Sequence, residues 1–117
     1  MKFIETAIFQ VKPAKVDQFE NILKEFHRFA ESNVYLRDYE IMKRTHRIAD
    51  IDTVKKGTPA KKLTRIVKSV KYVMHLEFDN EADQGMFTKE FFKAFDKEIS
   101  KCLLVPHDKL IGVSVRV

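Results

Sequence analysis

His75 and Glu77 stand two residues apart in an alternating run, which aims both side chains at one face of a strand. A carboxylate beside an imidazole raises its pKa and orients it, so this pair has the makings of a general base. The apolar run Tyr72, Met74, Leu76 and Phe78 occupies the other face and must meet the helices. His75 and Glu77 then face a partner subunit, where polar pairs also occur with no chemical role. His27 is a second candidate base. It follows Phe26 at the edge of an apolar helical stripe, within reach of a pocket rim, or else as a half-exposed surface histidine.

Tyr39 and Tyr72 could each offer a hydroxyl to a ligand or pack with a wet tip. Phe87 and Phe91, with Phe92 and Phe95, could line an apolar pocket suited to an aromatic molecule, with Met74 and Phe78 as its sheet wall. The same helical spacing also describes ordinary core. The four histidines, at 27, 46, 75 and 107, include no pair at the i, i+4 spacing of a zinc helix. Cys102 is the only cysteine, so neither a cysteine metal cluster nor an internal disulfide is expected. Three glycines, at 57, 85 and 112, cannot build a phosphate loop or nucleophile elbow. No metal or cofactor is expected.

These residues need elements to position them. Residues 2–11 alternate and are apolar on both faces, which predicts a strand covered on both sides. Residues 14–31 carry Val16, Phe19, Leu23, Phe26 and Ala30 at helical spacing. Residues 34–48 read as a long edge strand with charges on both faces. Residues 49–63 hold Gly57-Thr58-Pro59 and read as a long, exposed, mobile basic hairpin connection. Residues 64–78 read as the next strand. Asp79-Asn80 caps a helix that runs to about Leu103, with Phe87, Phe91, Phe95, Ile99 and Cys102 as its stripe. Residues 109–117 close the chain as a strand with Ile111, Val113, Val115 and Val117 on one side.

The order β-α-β-β-α-β predicts an α+β, ferredoxin-like fold: an antiparallel sheet with two helices on one face. Helices cover only one face, while the first and last strands leave apolar surface beyond them. A second sheet is the simplest lid, so a homodimer with sheets face to face is expected.

At 117 residues with 44% hydrophobic and 33% charged side chains, the chain fits one folded domain over 1–117 and not a disordered segment. No apolar run is long enough to span a bilayer, and the start MKFIETAIFQ does not read as a signal peptide. A cytoplasmic protein with no membrane partner is expected. The net charge of +5 is uneven: residues 43–71 hold ten Lys/Arg against two Asp. That basicity suits a solvated face or an anion-binding surface. The same element order also serves RNA-binding domains, but residues 65–78 lack the Gly and the exposed aromatics such domains use. No nucleic-acid partner is expected.

Three stretches carry a resemblance. VKPAKVDQFENILKEF, Val11 to Phe26, is similar to the strand, turn and amphipathic helix of the antibiotic-biosynthesis-monooxygenase-like (ABM) domain of the dimeric α+β barrel superfamily. HLEFDNEAD, His75 to Asp83, resembles that family's strand end and acidic helix cap, and MFTKEFFKAF, Met86 to Phe95, its second helix. The resemblance implies a homodimeric α+β barrel with a small pocket between sheet and helices in each subunit. It also implies cofactor-free oxygenases of aromatics among the possible activities. Departures accompany the matches. Phe78 replaces the family's strand Trp and Met86 its helix His, and Ala14 stands for the turn Gly. Ala7, Met86 and Asp96 stand where the haem-degrading branch needs Asn, Trp and His, which argues against that branch.

Two functions stay open on this reading. One is a small dimeric protein that binds a hydrophobic or aromatic molecule and oxidises it as a cofactor-independent monooxygenase, with His27 or His75 as base. The other is a non-catalytic dimeric binding or regulatory module of the same fold. A pocket lined by histidine or tyrosine favours the first; phenylalanines filling the space between sheet and helices favour the second.

Overall fold

The computed structural model describes residues 2–48, 50–65 and 68–115. The first strand, β1 (Phe3–Val11), alternates buried and half-buried residues. Pro13 ends it in a single tight turn, Pro13–Lys15, that leads into α1 (Val16–Ser32). Helix α1 buries Phe19, Leu23, Phe26 and Ala30, the i, i+4, i+7, i+11 ridge its sequence predicts. Asn33 stops the helix and caps the next turn: its side-chain oxygen accepts from the backbone N–H of Tyr35 and Leu36.

That cap shortens the expected strand over 34–48. Strand β2 spans only Asp38–Lys43. His46–Arg47 forms β3, which pairs with β4 (Lys61–Lys62) in a separate two-stranded sheet. Between them α2 (Ile51–Lys55) is one short helix, with the Asp50 carboxylate accepting from Asp52 N–H. The segment expected as a long hairpin connection is a small hairpin that also carries its own short helix, closed at Gly57, whose φ of 80° no β-carbon favours. None of the described residues between 44 and 69 is fully buried.

Strand β5 (Val70–Phe78) begins later than the expected residue 64 and alternates buried with half-buried residues. Ile66 and Val67 lie outside the described residues. Helix α3 (Glu81–Cys102) is capped by Asn80, whose side chain accepts from Asp83 N–H, and buries Phe87, Phe91, Phe95, Ile99 and Cys102. The last strand, β6 (Asp108–Val113), is shorter than the expected 109–117; Val117 lies outside the described residues.

The four long strands form an antiparallel sheet in the order β2-β5-β1-β6, with α1 and α3 packed on one face. This is the expected ferredoxin-like α+β fold. The core lies between sheet and helices and is aromatic: Phe9, Phe19, Phe26, Phe78 and Phe87 are almost wholly enclosed. The rings touch in a chain, with Phe26 and Phe87 6.3 Å apart, Phe26 and Phe91 5.8 Å, and Phe78 and Phe87 5.3 Å between centroids.

Register corrects one expectation. Ile111 pairs with Glu5 and Val113 with Phe3, so both side chains of β6 lie on the helix side of the sheet. They are half exposed because they extend past the helices at the sheet edge. The open face instead carries Ile4, Thr6 and Ile8 from β1, Val73, His75 and Glu77 from β5, Met42 from β2 and Leu110 from β6.

Candidate functional site

Three residues singled out in the sequence meet in one place. Lys43 pairs with Tyr72 and Tyr39 with Leu76 across β2 and β5, which puts Tyr39, Ile41, Lys43 and Tyr72 on the helix side. Helix α1 passes over this edge and contributes Glu20, Leu23, Lys24 and His27, which share its groove-facing side over two turns. The result is an open groove of about 680 Å³, within the size range of small-molecule sites.

Two hydrogen-bonded pairs line it. Tyr72 donates its hydroxyl to Glu20 Oε2 at 2.5 Å, and Lys43 Nζ reaches the same oxygen at 2.9 Å. Those two bonds hold the Glu20 carboxyl below its usual range. Burial, followed by the Glu20 charge, pushes the Tyr72 phenol well above its ordinary value. In the second pair, Tyr39 Oη lies 2.6 Å from His27 Nδ1. Burial, with Glu31 and Asp38 nearby, raises the Tyr39 phenol too, and its hydroxyl either donates to Nδ1 or accepts from Nδ1–H according to the imidazole tautomer. When Tyr39 donates, Nε2 is the protonated ring nitrogen and presents its N–H as a donor. For His27 to act as a base through Nε2, Nδ1–H must instead donate to Tyr39. The phenol can accept without ionising, so that state is the other imidazole tautomer: Nε2 gives its proton to solvent, Nδ1 takes one from solvent, and the Tyr39 hydroxyl turns to accept from Nδ1–H.

The other predicted ligand contacts are elsewhere. Met74, Phe78, Phe87 and Phe91 are core residues, each 3% exposed or less. The gap beside them, bounded also by Glu5, Ala7, Phe9 and Lys109, has no room for a water molecule. Phe78 and Phe87 fill this layer with rings, and a polar plug closes it. Glu5, only 2% exposed, accepts from Gln84 Nε2 at 2.7 Å and from Lys109 Nζ at 3.1 Å. His75 is on the open face of the sheet, away from the groove. Its Nδ1 lies 3.1 Å from Thr6 Oγ1, and its Nε2 3.9 Å from Glu77 Oε1, which Lys2 also approaches at 3.4 Å. The structure thus brings His27, Tyr39 and Tyr72 together and separates His75 from them.

Glu20, Lys43 and the buried Glu5 did not stand out in the sequence. Glu20 and Lys43 look like outer-face charges of an amphipathic helix and an edge strand, and only the crossing of α1 over β2 joins them. Glu5 falls among apolar neighbours on β1, which was the one available signal. Among the described residues, no three His, Cys, Asp or Glu side chains gather as a metal site. Among them, no helix is long and apolar enough to cross a membrane.

No family model matches the chain, and no curated protein matches it. Solved structures do. A conserved protein from Methanosarcina mazei superposes with a TM-score of 0.67 at 18% identity, covering 96% of this chain and 91% of that one. A provisionally named antibiotic biosynthesis monooxygenase of Nitrosomonas europaea gives 0.68 at 10% identity, over 97% and 90%. An ethyl tert-butyl ether D family protein from Bacillus halodurans gives 0.61 at 13%, over 98% and 100%. The chain has the fold of these proteins along nearly its whole length, and that of the Nitrosomonas europaea protein is the fold the resemblance of residues 11–26, 75–83 and 86–95 implied.

Proposed function

We propose that this chain is an ABM-like homodimeric domain that binds a small aromatic molecule in the groove between α1 and β2–β5, as a binding or regulatory module. The observation that carries the reading is the contrast between two sites. The layer between sheet and helices is filled by phenylalanines and the Glu5 plug, while the adjacent groove is open and lined by His27, Tyr39 and Tyr72. Ile41 and Leu23 supply an apolar floor, and in the tautomer where Tyr39 donates to Nδ1, His27 Nε2–H is a donor for an oxygen substituent on the ligand. A flat hydroxylated aromatic suits that combination better than a sugar or phosphate. Dimerisation through the open sheet face would cover Ile4, Ile8, Val73, Met42 and Leu110, which a lone subunit leaves to solvent.

One observation favours the second reading, a cofactor-free oxygenase. In the tautomer whose Nδ1–H donates to Tyr39, His27 Nε2 is free to take the proton of a bound phenol. The resulting anion would supply electrons to dioxygen. Against it, the groove is open to water, and such chemistry needs a dry site.

Thermal denaturation with a panel of hydroxylated polycyclic aromatics tests binding, since a ligand of the native state raises the melting temperature. Oxygen uptake in the same samples separates the two readings. The module reading expects a shift that His27→Ala removes, with uptake at background. Uptake above background that falls roughly 10²-fold in His27→Ala supports the oxygenase instead. No shift across the panel overturns both.

A further inference from the structure

We propose that a second groove, where the β3–β4 hairpin meets the end of the main sheet, binds a diphosphate-class anion joined to an apolar body. The groove encloses about 600 Å³ and is lined by Lys43, Arg44, Lys62, Arg65, Lys68 and Lys71, over a floor that includes Leu63, Val70 and Leu104. Backbone hydrogen bonds build it. Arg44 N–H donates to Lys71 C=O at 2.9 Å, extending the β2–β5 ladder by one residue. Leu63 N–H donates to Thr45 C=O at 2.8 Å, extending the β3–β4 pairing by one residue. Leu104 N–H donates to Gln10 C=O at 2.8 Å and supplies the far wall.

Charge is what singles this groove out. No carboxylate lines it among the described residues. Lys43 is neutralised by Glu20, but none of the other five cations has a carboxylate within 4.0 Å among the described residues. Other described cations, such as Lys12, Lys24 and Lys89, also lack an acidic partner, but only here do five line a single concavity among the described residues. Five unpaired cations converging on one concavity repel one another, and a multivalent anion removes that repulsion. Two guanidinium groups, from Arg44 and Arg65, offer the forked donors that match phosphate oxygens. The leucine and valine floor, extended by lysine stems, gives an attached apolar group a place to pack. A single carboxylate would leave most of this charge unanswered. The site is distinct from the His27 groove and shares only Lys43 with it.

Calorimetric titration with adenosine diphosphate, inorganic pyrophosphate and adenosine tests the assignment on the full chain. Binding should be detectable for pyrophosphate, at least several-fold tighter for adenosine diphosphate, and absent for adenosine. The double variant Lys62→Glu with Arg65→Glu should weaken both anions by tenfold or more, and Lys62→Arg with Arg65→Lys should restore binding to within about threefold. Both positions are exposed, so circular dichroism should be unchanged. Equal binding of adenosine and adenosine diphosphate overturns the proposal, as does insensitivity to the charge reversal. Tighter binding of a short single-stranded oligonucleotide, with affinity falling steeply and linearly in log salt, overturns it in favour of a nucleic-acid surface.

Discussion

The hydroxyl of Tyr72 on β5 and the carboxylate of Glu20 on α1 are 2.5 Å apart, and this contact ties the helix to the sheet at the mouth of the groove. Lys43 on β2 completes the bridge, so one carboxylate joins three elements. The contact lowers Glu20, while burial and then the contact raise Tyr72, and these opposite shifts give the pair a pH signature.

Glu20 is held below its ordinary 4.5, so its contribution is present above that value and is lost as pH falls through the depressed folded value. Tyr72 is raised above its ordinary 10.0, so its contribution is present below pH 10 and declines as pH rises past it. Tyr72→Phe should therefore flatten both limbs of the stability profile. The difference from the parent should be greatest between about pH 5 and 10 and near 1 kcal/mol, because the carboxylate is partly solvated. Urea denaturation at five pH values measures it. A difference that stays constant from about pH 3 to 11 would mean that Tyr72 acts through packing on Phe19 alone.

The open sheet face carries the assembly claim. Val73 pairs with Ile8 in the middle of that face and is only half buried in a single subunit. Val73→Lys should leave the helix-side core intact and yield a monomer. Sedimentation velocity at micromolar concentration should show a dimer for the parent and a monomer of unchanged helicity for the variant. A monomeric parent would remove both the dimer and the barrel.

The hairpin is predicted to be dispensable for folding. Its residues from 44 to 69 include no fully buried side chain among those described, and strands β2 and β5 pair without it. Replacing residues 53–62 by a short turn should keep the far-ultraviolet spectrum and lower the melting temperature by no more than about 4 °C, the shift about 1 kcal/mol makes in a domain of this size. It should also abolish adenosine diphosphate binding. Loss of folding would show that the hairpin supports the sheet.

The sequence makes the fold legible where one period dominates. The Phe19–Leu23–Phe26–Ala30 ridge and the Phe87–Phe91–Phe95–Ile99 ridge repeat at helical spacing, and both helices are found where expected. Strand β2 was legible only in its centre, because Asn33 caps the adjoining turn with its side chain, a local bond that alternation does not report. The site was half legible. His27 and Tyr39 sit twelve residues apart and could be named singly but not as a pair, since only the crossing of α1 over β2 sets their distance. Phe87 and Phe91 were ambiguous between pocket wall and core because helical spacing is the same for both. Burial of Glu5 with Lys109, 104 positions apart, decides that layer as packed.

Where an aromatic ligand lands decides between the His27 groove and every other placement. Nuclear magnetic resonance titration with 1-naphthol, observing the histidine ring and aromatic side-chain signals, reads that directly. Saturable shifts are expected at His27, Tyr39 and Tyr72, with little change at Phe78, Phe87, Phe91 and His75, and loss of the shifts in His27→Ala. Shifts centred on Phe87 and Phe91, or on His75, would contradict the groove as the binding site, as would a spectrum that 1-naphthol leaves unchanged.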